Sequence, residues 1–309
     1  METRRIGSLE VSVVGLGCNN FGWRIDEAAT RRVVDAAIDA GINFFDTADI
    51  YGGTKSETFL GRALGARRGR VLVASKFGME VAPGKKGARP EYLKQAVDES
   101  LRRLGTDYID LYQLHQPDPS VPIADTLGAL DDLVRAGAVR EIGCSNFSAA
   151  QLREAEAASR GRSRFVSVQN EYSLLHREPE AEVLPECERL GIAFLPYFPL
   201  ASGLLTGKYR EGAAAPEGSR LAAAAGLAAR YSKHMTPEGF ARLDRLAALA
   251  GRRGRQLLDL AFAWLRSRPA VASVIAGATS ESQVRANAAT AAFKLTTEDL
   301  DEIEAVLAR

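Results

Sequence analysis

The chain has 309 residues, 46% hydrophobic and 26% charged, with 40 basic against 39 acidic side chains and a formal net charge of +1. So even a balance raises no long-range field to gather nucleic acid or an anionic membrane, so neither is expected as a partner and a small ligand is. The length nears the size at which single cores stop growing, which suits one large α/β barrel or two ordinary domains.

In chain order, Arg4 to Val13, broken by Gly7-Ser8, reads as a hairpin able to plug the lower end of a barrel. Val13–Gly17 is a short apolar run, and Glu27–Ala40 carries Ala28, Val33, Val34, Ala37 and Ile38 at helical spacing before Gly41 ends it. Strand-like runs recur at Asn43–Phe45, Val71–Ser75, Ile109–Leu114, Val139–Gly143, Phe165–Val168, Ile192–Pro196 and Ala272–Ile275. Amphipathic stretches lie between them: Lys55–Leu64, Pro90–Leu104, Pro122–Ala136, Ala149–Arg160, Glu178–Leu190, and the pair Pro237–Ala250 and Arg255–Arg266. Eight strand–helix units close a parallel barrel, although a doubly wound sheet alternates too. Leu200 to Met235 breaks the rhythm and reads as a lid or binding loop, with the Ala-rich Leu221–Ala229 as a short helix inside it. Thr296 to Leu307 opens on an N-cap signature and reads as an extra helix.

Cys18, Cys144 and Cys187 form no CxxC pair and leave one thiol over, against both a disulfide framework and a zinc knuckle, so no metal is expected. The opening METRRIGSLEVSVVGLG lacks the apolar core of a signal peptide, and no apolar run reaches the ~18 residues of a membrane span. A cytoplasmic protein is the expectation.

Four polar residues carry the chemistry: Asp46, Tyr51, Lys76 and His115, each at or just past the end of an apolar run. Parallel strands place all four at one end of the sheet, the end where barrel enzymes react. A phenol with a pKa of about 10 donates poorly at neutral pH, and a nearby cation moves it toward the working range. Lys76 can be that cation, Asp46 its counter-ion, and His115 a hydrogen-bond donor to a substrate carbonyl or a proton relay. Taken singly, each has an ordinary reading: a cap, a solvated charge, a structural histidine. Trp23 is placed to wall a substrate pocket, Trp264 sits on an apolar helical face, and His176 and His234 read as surface residues.

The strings FFDTADIYGG, VLVASKFG and DLYQLHQPDP around these four residues resemble the aldo-keto reductase superfamily, in its shaker-type and bacterial branch. The similarity continues through EIGCSNF, SVQNEYSLL, PYFPLASGLLTGKY and VIAGATSESQVRAN, and so spans the whole chain. It implies a (β/α)8 TIM barrel with an N-terminal β-hairpin and an extra C-terminal helix, residues 1–309 forming one barrel domain. It also implies that Asp46, Tyr51, Lys76 and His115 are a catalytic tetrad reducing aldehydes or ketones with NADP, NAD being the other option. No GxGxxG follows the first strand, where only GLGC stands, in keeping with cofactor binding without a Rossmann domain. By resemblance, Ser145, Asn146 and Gln169 hold the nicotinamide carboxamide and Tyr197 stacks on its ring. Leu200, Ser202 and Lys208 clasp the pyrophosphate, Arg220 reaches the cofactor from its loop, and Gly277, Thr279, Gln283 and Asn287 take the adenosine end. Arg285 is the one cation in that last segment, and Phe198 stands where a serine is common. The superfamily also includes potassium-channel β-subunits, which use the barrel as a regulatory module, so a cofactor-binding sensor is the alternative function. A Schiff-base lyase using Lys76 is a third. Oligomeric state stays open.

Overall fold

The computed structural model describes residues 1–223 and 225–308. Thr3–Ile6 (β1) and Leu9–Ser12 (β2) pair antiparallel around Gly7-Ser8. Gly7 takes φ +55° there, a left-handed backbone that glycine adopts without steric cost. Ile6, Leu9 and Val11 are buried against Phe44, Ala74, Leu111 and Leu195 from the barrel strands and Ala272 just before β10. The hairpin therefore does plug one end of the barrel.

Eight parallel strands follow: Val14–Gly17 (β3), Phe44–Asp46 (β4), Leu72–Phe77 (β5), Ile109–Leu114 (β6), Val139–Ser145 (β7), Phe165–Glu171 (β8), Ala193–Tyr197 (β9) and Val274–Gly277 (β10). Their order is β10-β3-β4-β5-β6-β7-β8-β9. The ring closes through Phe194 of β9, whose N–H donates to Ala270 O at 2.7 Å while its carbonyl accepts from Ala272 N at 3.1 Å. Strands buried on both faces read as unbroken apolar runs, which is why most were visible in the sequence.

The helices are Glu27–Asp39 (α1), Lys55–Leu64 (α2), Pro90–Leu104 (α3), Ile123–Arg135 (α4), Ala149–Ala158 (α5), Val183–Leu190 (α6), Arg220–Ala223 (α7), Ala225–Tyr231 (α8), Pro237–Arg252 (α9), Leu257–Arg266 (α10), Glu281–Ala289 (α11) and Thr297–Leu307 (α12). Those between strands lay an apolar stripe on the barrel, as α3 does with Leu93, Ala96, Val97 and Leu104. Each leucine or valine so buried contributes roughly 1.5–3 kcal/mol. Trp264 of α10 is fully buried, as its helical position suggested.

Two departures have local causes. The helix expected from Glu178 starts at Val183, because Pro179 sits in a separate 3-10 turn over Glu178–Glu180. Helix α11 had no forecast, since only Val284 and Asn287 of its nine residues are buried and so no apolar stripe marks it. The stretch Leu221–Ala229, expected as a short helix, is helical at its described residues, in α7 and α8, and Ala224 lies outside the described residues. Among the described residues no helix is long and apolar enough to cross a membrane.

Candidate active site

Parallel register brings the four candidates together at the upper, C-terminal end of the strands. Asp46 ends β4 and pairs with Ala74, while Lys76 sits near the end of β5 opposite Gln113. His115 follows the last residue of β6, its N–H bonded to Phe77 O at 2.8 Å. Tyr51 lies in the β4–α2 loop, tied down by Asp49 N donating to Lys76 O at 3.1 Å.

The Lys76 ammonium is fully buried and donates to Asp46 Oδ2 at 2.6 Å, Thr47 O at 2.9 Å and Tyr51 Oη at 3.4 Å. Burial alone would strip its proton, but the Asp46 carboxylate, together with Tyr51, outweighs desolvation and raises the pKa above the usual lysine value. Asp46 spends its second oxygen on Gln169 Nε2 at 2.9 Å and Gln113 Nε2 at 3.3 Å. A buried ion pair holds only when its remaining lone pairs are met in this way.

Tyr51 differs from the simplest expectation. Burial raises its pKa above 10, and the opposing pull of Lys76 only moderates the rise. The phenol is thus firmly protonated at neutral pH, with a cation already in place to receive it as phenolate. His115 meets Tyr51 edge-on, ring centroids 5.8 Å apart. Desolvation first and Lys76 second lower its pKa to about 3, so it is a neutral imidazole, and its Nδ1 has no partner among the described residues.

A cleft of about 750 Å³ opens above this group. It is lined by Asp46, Tyr51 and His115 and by all twelve residues assigned to the cofactor by resemblance, Ser145, Asn146, Gln169, Tyr197, Leu200, Ser202, Lys208, Arg220, Gly277, Thr279, Gln283 and Asn287. Lys76 alone of the sixteen stays behind the wall. Ser145 Oγ donates to Gln169 O at 2.6 Å, and Tyr197 Oη donates to Asn146 Oδ1 at 2.9 Å. Gln283 Oε1 accepts from Thr279 N at 2.8 Å. Arg285 and Trp23 are not among the residues that line the cleft. His176 and His234 are partly buried rather than on the open surface.

Three features suit a dinucleotide. Lys208, Arg220 and Arg24 stand together on the wall of the cleft. Desolvation and their mutual repulsion lower the pKa of Lys208 and Arg220. Such a cluster is satisfied by an anionic ligand. Gly277 lets backbone lie close beneath the cleft, since a Cβ there would meet Asn20 Nδ2 at 2.9 Å. Asn146, Phe198, Ala201 and Ser202 all hold positive φ, between 46° and 63°. Left-handed non-glycine residues crowded at one cleft are the kind of strain that functional sites retain.

Sequence reasoning passed over several residues here. Asn19 and Asn20, just past β3, accept Arg220 Nη2 at 2.9 Å each. Arg24 donates to Gly218 O across the cleft. Glu171 is 4% exposed at the end of β8. Only the clustering of polar residues at strand ends hinted at them.

The Aldo/keto reductase family model matches residues 13–308. Protein tas of Escherichia coli K12 is 35% identical over 99% of this chain and 97% of its own length. A probable voltage-gated potassium channel subunit beta of Oryza sativa is also 35% identical, with the same coverage of each chain. An aldo-keto reductase from Bacillus halodurans, solved in its holo form, superposes with a TM-score of 0.81 at 34% identity, covering 99% of this chain and 96% of its own. With its eight-stranded barrel and strand-end polar cluster, this chain belongs to the aldo-keto reductase family. It is an oxidoreductase built on a TIM barrel.

Proposed function

We propose that this chain reduces aldehyde or ketone carbonyls to alcohols with NADPH, Tyr51 being the proton donor. The observation that carries the reading is one ammonium bonded at 2.6 Å to a carboxylate and at 3.4 Å to a phenol, just behind the wall of a cleft that Lys208, Arg220 and Arg24 also line.

The bound nicotinamide supplies the two-electron reductant for the carbonyl carbon. Tyr51 Oη gives its proton to the carbonyl oxygen, and Lys76 meets the negative charge left on the phenolate. Asp46 keeps Lys76 protonated through that exchange. His115, neutral, donates an N–H to the same oxygen and fixes its direction. In the oxidative direction the same phenol acts as base. Asn146 and Gln169 orient the amide of the ring, Tyr197 covers its face, and Lys208 and Arg220 neutralise phosphate. NADPH is preferred over NADH if Lys208 or Arg220 meets the 2′-phosphate as well as the pyrophosphate that both cofactors share; equal kcat/KM for the two cofactors refutes that preference. A Schiff base on Lys76 has no support, because that amine is fully buried and already bonded.

The test is NADPH consumption across aldehydes, ketones and sugars. The relatives named as potassium-channel β-subunits favour a second reading, a cofactor-binding regulatory subunit. NADPH fluorescence that changes on binding, with no turnover of any carbonyl, selects it.

A further inference from the structure

The interior of the barrel is apolar below and polar above, and Gln113 of β6 stands at the change. Leu111 and Gln113, two residues apart, share one face of the strand. Leu111 is buried with Phe44, Ala74 and Leu195 around the hairpin. Gln113, one step higher, is also fully buried and is not among the residues that line the cleft. Strand register sets it between Lys76 of β5 and Gly143 of β7. A Cβ on Gly143 would lie 2.5 Å from Ser167 Oγ and 3.3 Å from Gln113 Cγ, so that glycine clears the room the amide occupies.

An amide is an unfavourable filler for such a place. Gln113 Nε2 donates to Asp46 Oδ1 at 3.3 Å, while its Oε1 is buried with no partner among the described residues. An unmatched buried carbonyl destabilises, whereas the bulky apolar side chains that usually fill barrel layers carry no such penalty. Turning the amide over would set oxygen against oxygen, so the N–H end is the one that faces Asp46. What the glutamine adds over a leucine is therefore one donor on that carboxylate. Gln169 gives the same oxygen a shorter bond, 2.9 Å, but Gln169 lines the cleft and meets whatever enters it. A ligand cannot draw Gln113 away in that manner.

The effect reaches the phenol through charge. Burial raises the Tyr51 pKa, Lys76 lowers it, and Asp46 raises it again. A donor on Asp46 Oδ1 offsets part of the carboxylate's push. The other titratable groups beside Tyr51 are Cys18, His115, Tyr197 and Arg220, and among the described residues none of them is hydrogen-bonded to Gln113. We infer that Gln113 is a positioning residue for the reduction proposed above: it is the donor that stays on Asp46 when the cleft fills, and through Asp46 and Lys76 it governs how readily Tyr51 gives up its proton. The consequence for turnover rests on that proposed function; the electrostatic link belongs to the free protein as well.

The experiment compares the wild type with Gln113→Met, which keeps the length of the side chain and removes the donor, and with Gln113→Leu should the first variant fail to fold. The free proteins are labelled with fluorotyrosine, whose phenol titrates lower than that of tyrosine, and the fluorine NMR signal lost in Tyr51→Phe identifies residue 51. Its titration midpoint is expected to rise by about one pH unit in Gln113→Met, the tenfold scale of one hydrogen bond to a charged group. With NADP and benzyl alcohol, where Tyr51 is the base, kcat at pH 7 is expected to fall about tenfold at unchanged KM, while NADPH affinity by fluorescence stays within about twofold. A wild-type midpoint in a folded variant overturns the inference whatever kcat does. So does an NADPH affinity that falls as far as kcat, since Gln113 then acts on the shape of the cleft. If the wild type turns over no carbonyl with NADPH, the proposed function fails, and the fluorine midpoint alone decides for or against Gln113.

Discussion

At the lower end of the barrel, Asp110 of β6 is buried between Arg68 at 2.7 Å and Arg140 at 2.8 Å, and it accepts from Val73 N at 2.9 Å. At the upper end, Asp46 and Lys76 are as tightly paired, but Lys208, Arg220 and Arg24 face the cleft, and among the described residues no carboxylate forms an ion pair with any of them. Charge at the bottom is closed off by protein, so its partners hold the fold together. Charge at the top is left open to a ligand. The same chemistry therefore serves stability at one end of the strands and binding at the other, as expected of parallel barrels.

The largest expected effect breaks the bottom alone. Asp110→Ala strands Arg68, which is nearly buried, and should cost about 3 kcal/mol in urea unfolding, with the kinetics of the folded fraction unchanged. Loss of activity without loss of stability would reverse the comparison.

Tyr51→Phe is the matching break at the top. It should lower kcat by at least ~100-fold, the scale for a positioned acid, while NADPH binding and unfolding stay near wild type. Near-normal turnover removes Tyr51 from the mechanism.

In the β4–α2 loop at the upper end sits Asp49, whose two buried oxygens have no hydrogen-bond partner among the described residues; burial first and Glu57 second push its pKa up to about 7 from 3.8. A raised carboxyl pKa means the folded protein holds a proton that the unfolded chain has lost. The stability from that proton is full below pH 3.8 and disappears as pH rises through about 7. Asp49→Asn should accordingly stabilise by about 1–3 kcal/mol near pH 8 and hardly at all below about pH 4. Equal gains at both pH values would argue against it. His115 runs the other way: with its pKa lowered to about 3 from 6.5, its contribution is full above 6.5 and lost as pH falls toward 3. No inflection in kcat near pH 6.5 should therefore trace to His115.

The smallest effect sharpens the account of the cationic wall. Lys208→Met should weaken NADPH binding about tenfold, roughly 1.4 kcal/mol, in a fluorescence titration. Because Arg24 and Arg220 repel this ammonium in the free protein, thermal stability should hold or rise. A fall in melting temperature would mean the wall is structural after all.

How much was legible follows the same division. Period alone marked the eight barrel strands, the hairpin and most outer helices, because burial against a barrel writes an apolar stripe into each element. Helix α11 escaped because it buries little. The tetrad was legible because Asp46, Tyr51, Lys76 and His115 interrupt apolar runs at their ends, and the family strings around them named the rest of the cleft. The direction of the Tyr51 shift was not, since it depends on whether desolvation or Lys76 prevails. Nor was Glu171, which looks like any residue of a turn until α8 returns to it sixty positions later.

By itself, then, the amino-acid order determined which segments are strands and which residue types arrive at their ends, because those choices are set by neighbours a few positions away. Only the closed barrel decided which of those residues lose water, which meet a partner, and which cations go without one. Desolvation and Coulomb attraction act over a few ångströms of space, and the groups they join here, from Asp46 and Gln169 to Arg220 and Asn19, stand more than a hundred residues apart along the chain.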